Sequence, residues 1–426
     1  MNIFSVVIFA AIIGGFVLGT AVNMLNVRAM RPELPEEFSG WYSPQKYARS
    51  QNYLRDNTRF ALFGSAIDLF LLALFVFAGT FNGLDRLARS AGLGEIWSGV
   101  FFAALLLLLL KLVGIARAAY GTFVIEEKYG FNRTTVKTFI QDMLKGFALS
   151  VVMGGAIIAG VIWFFSRFGT YAFVYAWAGI TVFQLCVAYL TPVLVMPLFN
   201  KYVPLEEGPL KAEITAYAAR QGFKIQGVFT MDGSRRSSKS NAFFTGFGRF
   251  RRIVLYDTLV AAMTTPEIVS VLAHEIGHYK KKHIIKGMAA GIVETGLMLF
   301  VFSLFVNNAQ LTRVFGFEHG SVYASLMAFG FLYAPVSFAL GVCRGYLSRR
   351  NEYEADRFAV DTYRHGRDFI SALKKLSVEN LSNLTPHWLK VKLEYSHPPV
   401  LERIAAVRAA AGITEPVPRE QGEKKH

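Results

Sequence analysis

The sequence contains few cysteines and few charged residues. Its two cysteines, Cys186 and Cys343, lie in separate apolar runs, so they supply no local metal-binding knuckle and a disulfide framework is not expected. Only 18% of the 426 residues are charged, whereas 53% are hydrophobic. This balance is unusual for a soluble enzyme and typical of a polytopic membrane protein, here long enough to carry a catalytic insert.

Acidic residues are fewer than basic ones, which gives the chain a net charge of +15. In a soluble protein such an excess would suggest nucleic acid binding. In a membrane protein it is typical of cytoplasmic loops rich in Lys and Arg. We therefore expect contact with membrane lipid and no nucleic acid partner.

Seven apolar segments reach the length of about 20 residues that a membrane-spanning helix needs. The first has no positively charged start and no clear cleavage site, so we expect an uncleaved helix rather than a signal peptide. The predicted spans cover residues 3–25, 60–81, 98–118, 146–165, 171–199, 287–307 and 323–347.

Basic residues alternate between the loops. The first, third and fifth loops and the C-terminal part are rich in Lys and Arg, the second has two such residues, and the fourth and sixth have only Arg167 and Arg313. Because cytoplasmic loops carry the basic excess, we expect an extracytoplasmic N-terminus and a cytoplasmic C-terminus.

The polar stretches are predicted to form the catalytic domain. The expected parts are 1–199 with spans 1–5 and their loops, 200–286 as a cytoplasmic catalytic insert, 287–348 with spans 6 and 7, 349–415 as the C-terminal part of the catalytic domain, and 416–426 as a flexible tail.

Local patterns in the insert predict a small α+β unit. The expected elements are an amphipathic helix at 210–221 and strands at 228–231, 241–245 and 252–256, the last two joined by a turn with Gly246 and Gly248. A further helix is expected after Thr264, because Thr264 and Glu267 fit a capping box and Pro266 suits a first helical turn.

That helix carries the motif His274-Glu275-Ile276-Gly277-His278, which is H-E-x-x-H. Histidines four residues apart share one helix face, so both imidazoles can bind one cation. Two His ligands suit zinc, which at a catalytic site usually takes a third protein ligand and keeps one position for water. Glu275 is placed to accept a proton from that water. We therefore predict one zinc ion per chain.

The third ligand has to come from another part of the chain. Glu352, Glu354 and Asp356 follow the seventh span directly, and the pattern alone favours none of them strongly. Glu352 and Asp356 are four residues apart and share a helix face. Glu352 as ligand, with Asp356 accepting a hydrogen bond from a metal-bound His, is one consistent arrangement.

Two further segments supply candidates for the reaction. His397, which precedes Pro398 and Pro399, could donate to the oxyanion of a tetrahedral intermediate, or it could be an ordinary loop histidine. Metalloproteases commonly hold substrate as an added strand on a sheet edge. Asn241, Ala242 and Phe243 are therefore candidate substrate-binding residues, although an ordinary hairpin has the same pattern.

Four charged residues lie within the predicted spans: Asp68, Lys111, Glu294 and Arg344. They either form ion pairs or reach toward the interface, or they line a hydrated cavity, because an isolated charge in hydrocarbon is costly. The sequence does not decide between these alternatives.

Together the motifs resemble those of the type I C-a-a-X prenyl endopeptidases, integral-membrane zinc metalloproteases of the gluzincin group. The resemblance covers nearly the whole chain. It rests on the H-E-x-x-H motif and on Glu126-Glu127-Lys128-Tyr129-Gly130-Phe131-Asn132, Pro197-Leu198-Phe199-Asn200-Lys201-Tyr202, Ser240-Asn241-Ala242, Asn351-Glu352-Tyr353 and Ser396-His397-Pro398-Pro399.

The resemblance implies an all-α-dominated polytopic membrane protein, with seven transmembrane helices forming a barrel around a large chamber and a small α+β zinc metalloprotease domain. It implies that Glu352 is the third zinc ligand, that Asn241 binds substrate and that His397 stabilises the intermediate. The implied reaction is hydrolysis near the C-terminus of C-a-a-X-like peptides, prenylated or not, or of other membrane-associated substrates. The short sixth loop, 308–322, favours a bacterial member in the inner membrane over one in the endoplasmic reticulum.

Three other functions are considered. A membrane quality-control metalloprotease with unlipidated substrates has the same chemistry but typically fewer spans. An intramembrane-cleaving metalloprotease carries its H-E-x-x-H inside an apolar span, whereas Lys280, Lys281 and Lys282 follow the motif here. A transporter with a metal-sensing domain explains the intramembrane charges but gives no reason for Glu275 between two histidines.

The predicted topology can be tested with a reporter fused after residue 426. Because the C-terminal part is rich in Lys and Arg, we expect the reporter to lie in the cytoplasm. The measurement is the signal of a reporter that is active in only one compartment. An extracytoplasmic signal would contradict the topology.

Overall fold

The computed structural model describes residues 2–245 and 252–414. The expected turn with Gly246 and Gly248 and the expected tail at 416–426 lie outside the described residues. The helices are α1 (Ile3–Arg28), α2 (Pro44–Phe77), α3 (Thr80–Ser90), α4 (Gly94–Tyr120), α5 (Val136–Arg167), α6 (Ala172–Leu190), α7 (Met196–Phe199), α8 (Pro209–Arg220), α9 (Asp257–Ala262), α10 (Thr265–Lys280), α11 (His283–Ser303), α12 (Ala309–Thr312), α13 (Val322–Tyr363), α14 (Gly366–Glu379), α15 (Trp388–Glu394) and α16 (Val400–Ala411). The strands are β1 (Tyr202–Pro204), β2 (Gly227–Met231), β3 (Ala242–Thr245) and β4 (Arg252–Tyr256).

Seven helical segments in the described part are long and apolar enough to cross a membrane, and each overlaps one predicted span. Five contain the predicted span in full, whereas the spans predicted at 60–81 and 287–307 extend beyond helices that end at Phe77 and Ser303. The seven segments are α1, α2, α4 with the π-helical stretch Gly121–Glu126, α5, the segment Gly169–Phe199 around α6, α11 and α13. Several exceed the bilayer: α13 has 42 residues, which corresponds to about 63 Å, against a hydrocarbon core of about 30 Å. Membrane helices therefore continue directly into the polar body.

The spans form a closed ring. Neighbouring spans contact each other in chain order, with α3 bridging α2 and α4, and α13 returns to α1. Only 0–11% of the residues in the apolar windows are buried within the protein. A solid bundle would bury more, whereas helices in a hollow ring expose one face to lipid and the other to the interior. The predicted barrel around a chamber is thereby confirmed.

One end of the ring is closed by an apolar cluster. Phe102, Ile162, Phe302 and Phe329 from four different spans are buried there with Ile8 of α1. The amphipathic α3, which has 11 residues, also packs into this cluster. It was not predicted, because a search for spans does not find so short a helix.

The catalytic end is a second core that collects distant segments. Phe38 and Trp41 from the first loop and Tyr129 and Phe131 from the third loop are buried with residues of α10, α14 and α16. The domain division predicted from the sequence assigned these loops to the membrane part. The local sequence gives no sign of their burial in the catalytic core, because this burial depends on partners more than a hundred residues away in the chain. The boundaries predicted at 286 and 348 also fall inside the continuous helices α11 and α13.

The small sheet has the strand order β1-β2-β4-β3. The strands β2 and β4 are parallel, and the two outer strands pair antiparallel with their neighbours. Three strands match the prediction. The outer strand β1 was not predicted, because it has three residues and ends in Pro204, which suits only an edge position. Among the described residues β3 is paired on one side only.

The helix α10 begins with the predicted capping box between Thr264 and Glu267. The Glu267 carboxylate accepts the Thr264 N–H at 2.8 Å and lies 2.6 Å from the Lys375 ammonium, and it also accepts the Ser371 hydroxyl. Glu267 thus caps the N-terminus of α10 and attaches this helix to α14. This contact fixes the helix that carries the H-E-x-x-H motif.

Glu37 attaches the first loop to the catalytic core. Its Oε1 lies 2.6 Å from Lys374 Nζ and 2.7 Å from Arg408 Nη2, and the Lys374 side chain is only 1% exposed. Glu37→Ala leaves two cations facing each other, so we expect the free energy of unfolding to fall by about 3 kcal/mol. The measurement is thermal melting of the detergent-purified protein. Glu36→Ala, at the exposed neighbouring position, is the control; equal melting of both variants would show that the Glu37 ion pairs are unimportant.

Candidate metal centre

The metal-binding motif lies where α10 packs against α13. Gly277 allows the close approach: a Cβ at this position would stand 3.0 Å from Ala355 Cα. A larger residue would push the two helices apart. The contact brings His274 and His278 of α10 next to Glu352 of α13, and the Glu352 side chain is buried.

Three side chains converge with the spacing of a metal-ligand set. His274 Nε2 lies 3.1 Å from His278 Nε2 and 3.5 Å from Glu352 Oε2, and His278 Nε2 lies 3.2 Å from Glu352 Oε1. Ligand atoms of a tetrahedral zinc are about 3.3 Å apart when the bonds are about 2.0–2.2 Å. The residues therefore fit a divalent cation.

Glu352 provides a second indication. Its Oε2 is buried and has no hydrogen-bond partner among the described residues. A buried acceptor without a donor is costly, and a bound cation removes that cost. Of the three acidic candidates that follow the seventh span, Glu352 is the one that faces both histidines. Asp356 contacts His274 at Nδ1 only, and Glu354 contacts His283 and Arg350.

A buried ion pair orients His274. Its Nδ1 lies 2.7 Å from Asp356 Oδ1, an acceptor that leaves Nε2 for the metal. Arg403 of α16 donates to Asp356 through Nε at 2.9 Å and Nη2 at 2.6 Å, and its Nη1 lies 3.4 Å from Glu352 Oε2. Burial lowers the pKa of Arg403, but the neighbouring carboxylates raise it by more. Arg403 therefore stays charged.

A second chain of contacts supports His278. Its Nδ1 lies 3.0 Å from His283 Nδ1, and His283 Nε2 lies 3.2 Å from Glu354 Oε2. Neither His283 nor Arg403 was predicted. The sequence gives a weak indication for His283, which is a third histidine five residues after the motif. Arg403 is 125 residues from His278 in the chain, and no local sequence pattern indicates that it belongs to the centre.

Glu275 faces a cavity beside the histidines. The cavity has a volume of about 480 Å³, and its lining includes Glu275, His278, Phe243 and Phe244. Burial raises the pKa of Glu275, and the neighbouring His274 and His278 oppose this shift. Glu275 lies beside both histidines and opens to the same cavity, which is the position expected of a general base for a metal-bound water.

His397 also reaches the centre. Its Nε2 lies 3.4 Å from Glu352 Oε1, and its Nδ1 lies 2.9 Å from Ser396 Oγ. The side chain is 63% exposed. An imidazole that borders the ligand set and is open to solvent can meet a group that enters the centre.

The substrate-binding candidates lie on β3 and just before it. Phe243 lines the cavity, Ala242 is buried, and Asn241 is exposed. The Asn241 carbonyl accepts the Tyr256 N–H at 3.1 Å, and its side chain accepts the Ala242 N–H at 2.8 Å. Because backbone groups alternate in direction along a strand, those of Ala242 and Phe244 point to the unpaired edge.

Two family models match consecutive parts of the chain, and the second match includes the spans α11 and α13. The family model described as CAAX prenyl protease N-terminal, five membrane helices, matches residues 23–201. The model of peptidase family M48 matches residues 204–411. Together they cover most of the chain.

Several known proteins are similar to this chain over most of the length of both chains. A CAAX prenyl protease 1 homolog from Oryza sativa subsp. japonica is 36% identical over 93% of this chain and 95% of that protein. CAAX prenyl protease 1 from Saccharomyces cerevisiae is 33% identical over 88% of each chain. The crystal structure of S. mikatae Ste24p has a TM-score of 0.89 and 32% identity, and covers 96% of this chain and 99% of that one.

Arg403 is expected to control metal retention. Arg403→Met leaves Asp356 and Glu352 without their cation and frees the orientation of His274, so we expect metal affinity to fall roughly 10- to 100-fold. The measurement is metal content per chain after dialysis against chelators of graded strength.

The control is Arg357→Met, which removes an exposed pairing with Asp361 on the same helix as Glu352. This variant should keep its metal. Thermal melting separates loss of metal from loss of fold. A folded Arg403→Met protein with wild-type metal retention would exclude this role for Arg403.

Proposed function

This chain belongs to peptidase family M48 and is a multi-pass membrane metalloendopeptidase of the CAAX prenyl protease type, and we propose that it uses one zinc ion to cleave prenylated C-a-a-X peptides near their C-terminus. The proposed zinc ligands are His274, His278 and Glu352. The observation that carries the proposal is the convergence of these three side chains at 3.1–3.5 Å, with Glu275 on the adjoining cavity.

Zinc in this centre would supply a Lewis acid for the scissile carbonyl and would lower the pKa of a bound water. The chain's own residues supply the proton transfers and the binding. Glu275 accepts the proton of the attacking water and passes it to the leaving amine. His397, at the rim of the ligand set, donates a hydrogen bond to the developing oxyanion.

The unpaired edge of β3 is the proposed binding site for the peptide. The Phe244 backbone groups and the Ala242 carbonyl, which point away from β4, can pair with an extended substrate, as in other cases of strand addition. The Ala242 N–H already donates to Asn241 Oδ1. Asn241 lies at the start of this edge, where its exposed amide can bind a substrate carbonyl. Phe243 and Phe244 close the cavity against water, which strengthens the electrostatic interactions inside.

The ring supports the assignment of a lipidated substrate. The most apolar windows of the spans have mean hydropathies of 1.7–2.5, and few of their residues are buried within the protein. A helix that is apolar on all sides offers apolar surface to the chamber as well as to lipid. A prenyl chain can therefore lie in the chamber while the peptide lies at the metal centre.

We also propose that the catalytic domain and the C-terminus face the cytoplasm and that the N-terminus is extracytoplasmic, since the loops on the catalytic side carry the basic residues. The bacterial inner membrane stays a prediction, because it rests on the length of the sixth loop alone. The quality-control protease with unlipidated substrates is the alternative that the following experiment separates.

The test is cleavage of a farnesylated C-a-a-X peptide by purified protein, with and without chelator. We expect cleavage that chelator abolishes and zinc restores. Glu275→Gln should lose at least roughly 100-fold in turnover, since it cannot accept the proton, while retaining one zinc per chain.

The other possible results of this experiment contradict different parts of the proposal. Zinc at one per chain without cleavage of the farnesylated peptide would reject the prenylated substrate and favour the quality-control alternative. Full activity of Glu275→Gln would exclude Glu275 as the general base. Cleavage without zinc would reject the proposed cofactor.

A further inference from the structure

Two arginine–carboxylate pairs lie within the spans. Arg117 Nη1 is 2.7 Å from Asp68 Oδ2, and Arg344 Nη1 is 3.1 Å from Glu294 Oε2. Only the second pair adjoins the catalytic centre: Arg344 is part of the wall of the cavity that contains Glu275 and His278. Arg117 of the first pair lines a different cavity, between α2 and α4.

Arg344 also borders a deeper cavity. This second space has a volume of about 410 Å³ and is lined by residues of α6, α11 and α13, among them Leu185, Met298 and Leu340. Glu294 and Tyr333 lie on its wall, and the buried Tyr333 hydroxyl has no hydrogen-bond partner in the described part of the chain. Arg344 thus stands at the junction of the catalytic cavity and a cavity further into the ring, whose wall has both apolar and polar side chains.

The spacing along α13 matches a short extended peptide. Arg344 precedes the proposed ligand Glu352 by eight residues, which corresponds to about 12 Å along the helix axis. An extended chain covers about 3.3–3.6 Å per residue, so about three residues fit between the metal centre and Arg344. Three residues follow the cysteine in a C-a-a-X end.

The guanidinium is available for another anion. The Arg344 side chain is 59% exposed, and among the described residues it forms one ionic contact, with Glu294. A guanidinium has five N–H donors and binds carboxylates through two parallel hydrogen bonds.

We propose that Arg344 binds the free C-terminal carboxylate of the substrate and thereby selects the peptide bond that reaches Glu275. Glu294 holds Arg344 in place before binding and shares the guanidinium afterwards. The side chain of the last substrate residue then enters the cavity lined by Leu185, Met298 and Leu340. This inference rests on the proposed function, since it assumes a peptide cleaved near its C-terminus.

The test compares a farnesylated C-a-a-X peptide that has a free C-terminal carboxylate with the same peptide as C-terminal amide. For the wild type we expect a KM roughly 10- to 100-fold lower for the acid, with similar kcat. Arg344→Gln should raise KM for the acid by that factor and leave KM for the amide nearly unchanged.

Arg344→Gln leaves Glu294 unpaired, so a second variant is needed to separate the loss of Arg344 from the effect of an unpaired carboxylate. The double variant Arg344→Gln/Glu294→Gln has no unpaired charge and should show the same loss of preference for the acid. Arg344→Lys should recover part of it. Arg117→Gln, which removes the other intramembrane arginine, is the matched control and should keep the wild-type preference.

Equilibrium binding separates this inference from the proposed function. Fluorescently labelled acid and amide peptides are titrated against zinc-loaded Glu275→Gln protein, which does not need to turn over substrate. Stronger binding of the acid that Arg344→Gln abolishes supports the carboxylate site even if cleavage fails. Cleavage of both peptides with equal KM, or an acid preference that survives in the double variant, would overturn the role of Arg344.

Discussion

The contact between α10 and α13 at Gly277 and Ala355 is the constraint on which the rest of the structure depends. It places two histidines of one helix beside the carboxylate of another, and it does so at the point where a membrane helix leaves the bilayer. Because α13 is continuous from Val322 to Tyr363, the position of Glu352 is fixed relative to the ring. Any shift of the ring against the catalytic body would therefore move a ligand.

The contact between α10 and α13 also buries charged side chains. Glu352, Asp356 and Arg403 lie together, and truncation of one member leaves the others uncompensated, which is far more costly than loss of a surface pair. Asp356 and Arg403 act on His274, whereas His283 and Glu354 act on His278. Each imidazole thus has its own outer partner, and such partners fix both the tautomer and the ring orientation of a metal-binding histidine.

The ring of helices is held together at its two ends, where side chains pack into buried cores. An apolar cluster closes one end, and the catalytic core, which includes the first and third loops, closes the other. Between them the helices bury little surface within the protein. This arrangement leaves a chamber next to the metal centre, so that a substrate can be held in an apolar space while its scissile bond lies among polar groups.

The sequence by itself determined the seven spans, the capped helix and the H-E-x-x-H motif, because helix length, periodicity and spacing are local properties. The local pattern also narrowed the candidates for the third ligand to three acidic residues, and the family resemblance favoured Glu352 among them. Only the tertiary structure brought Glu352 next to both histidines, added Arg403 and His283, joined the two loops to the catalytic core and paired Arg344 with Glu294. Those contacts join residues far apart in the chain, and no local pattern encodes which distant side chain a folded helix will face.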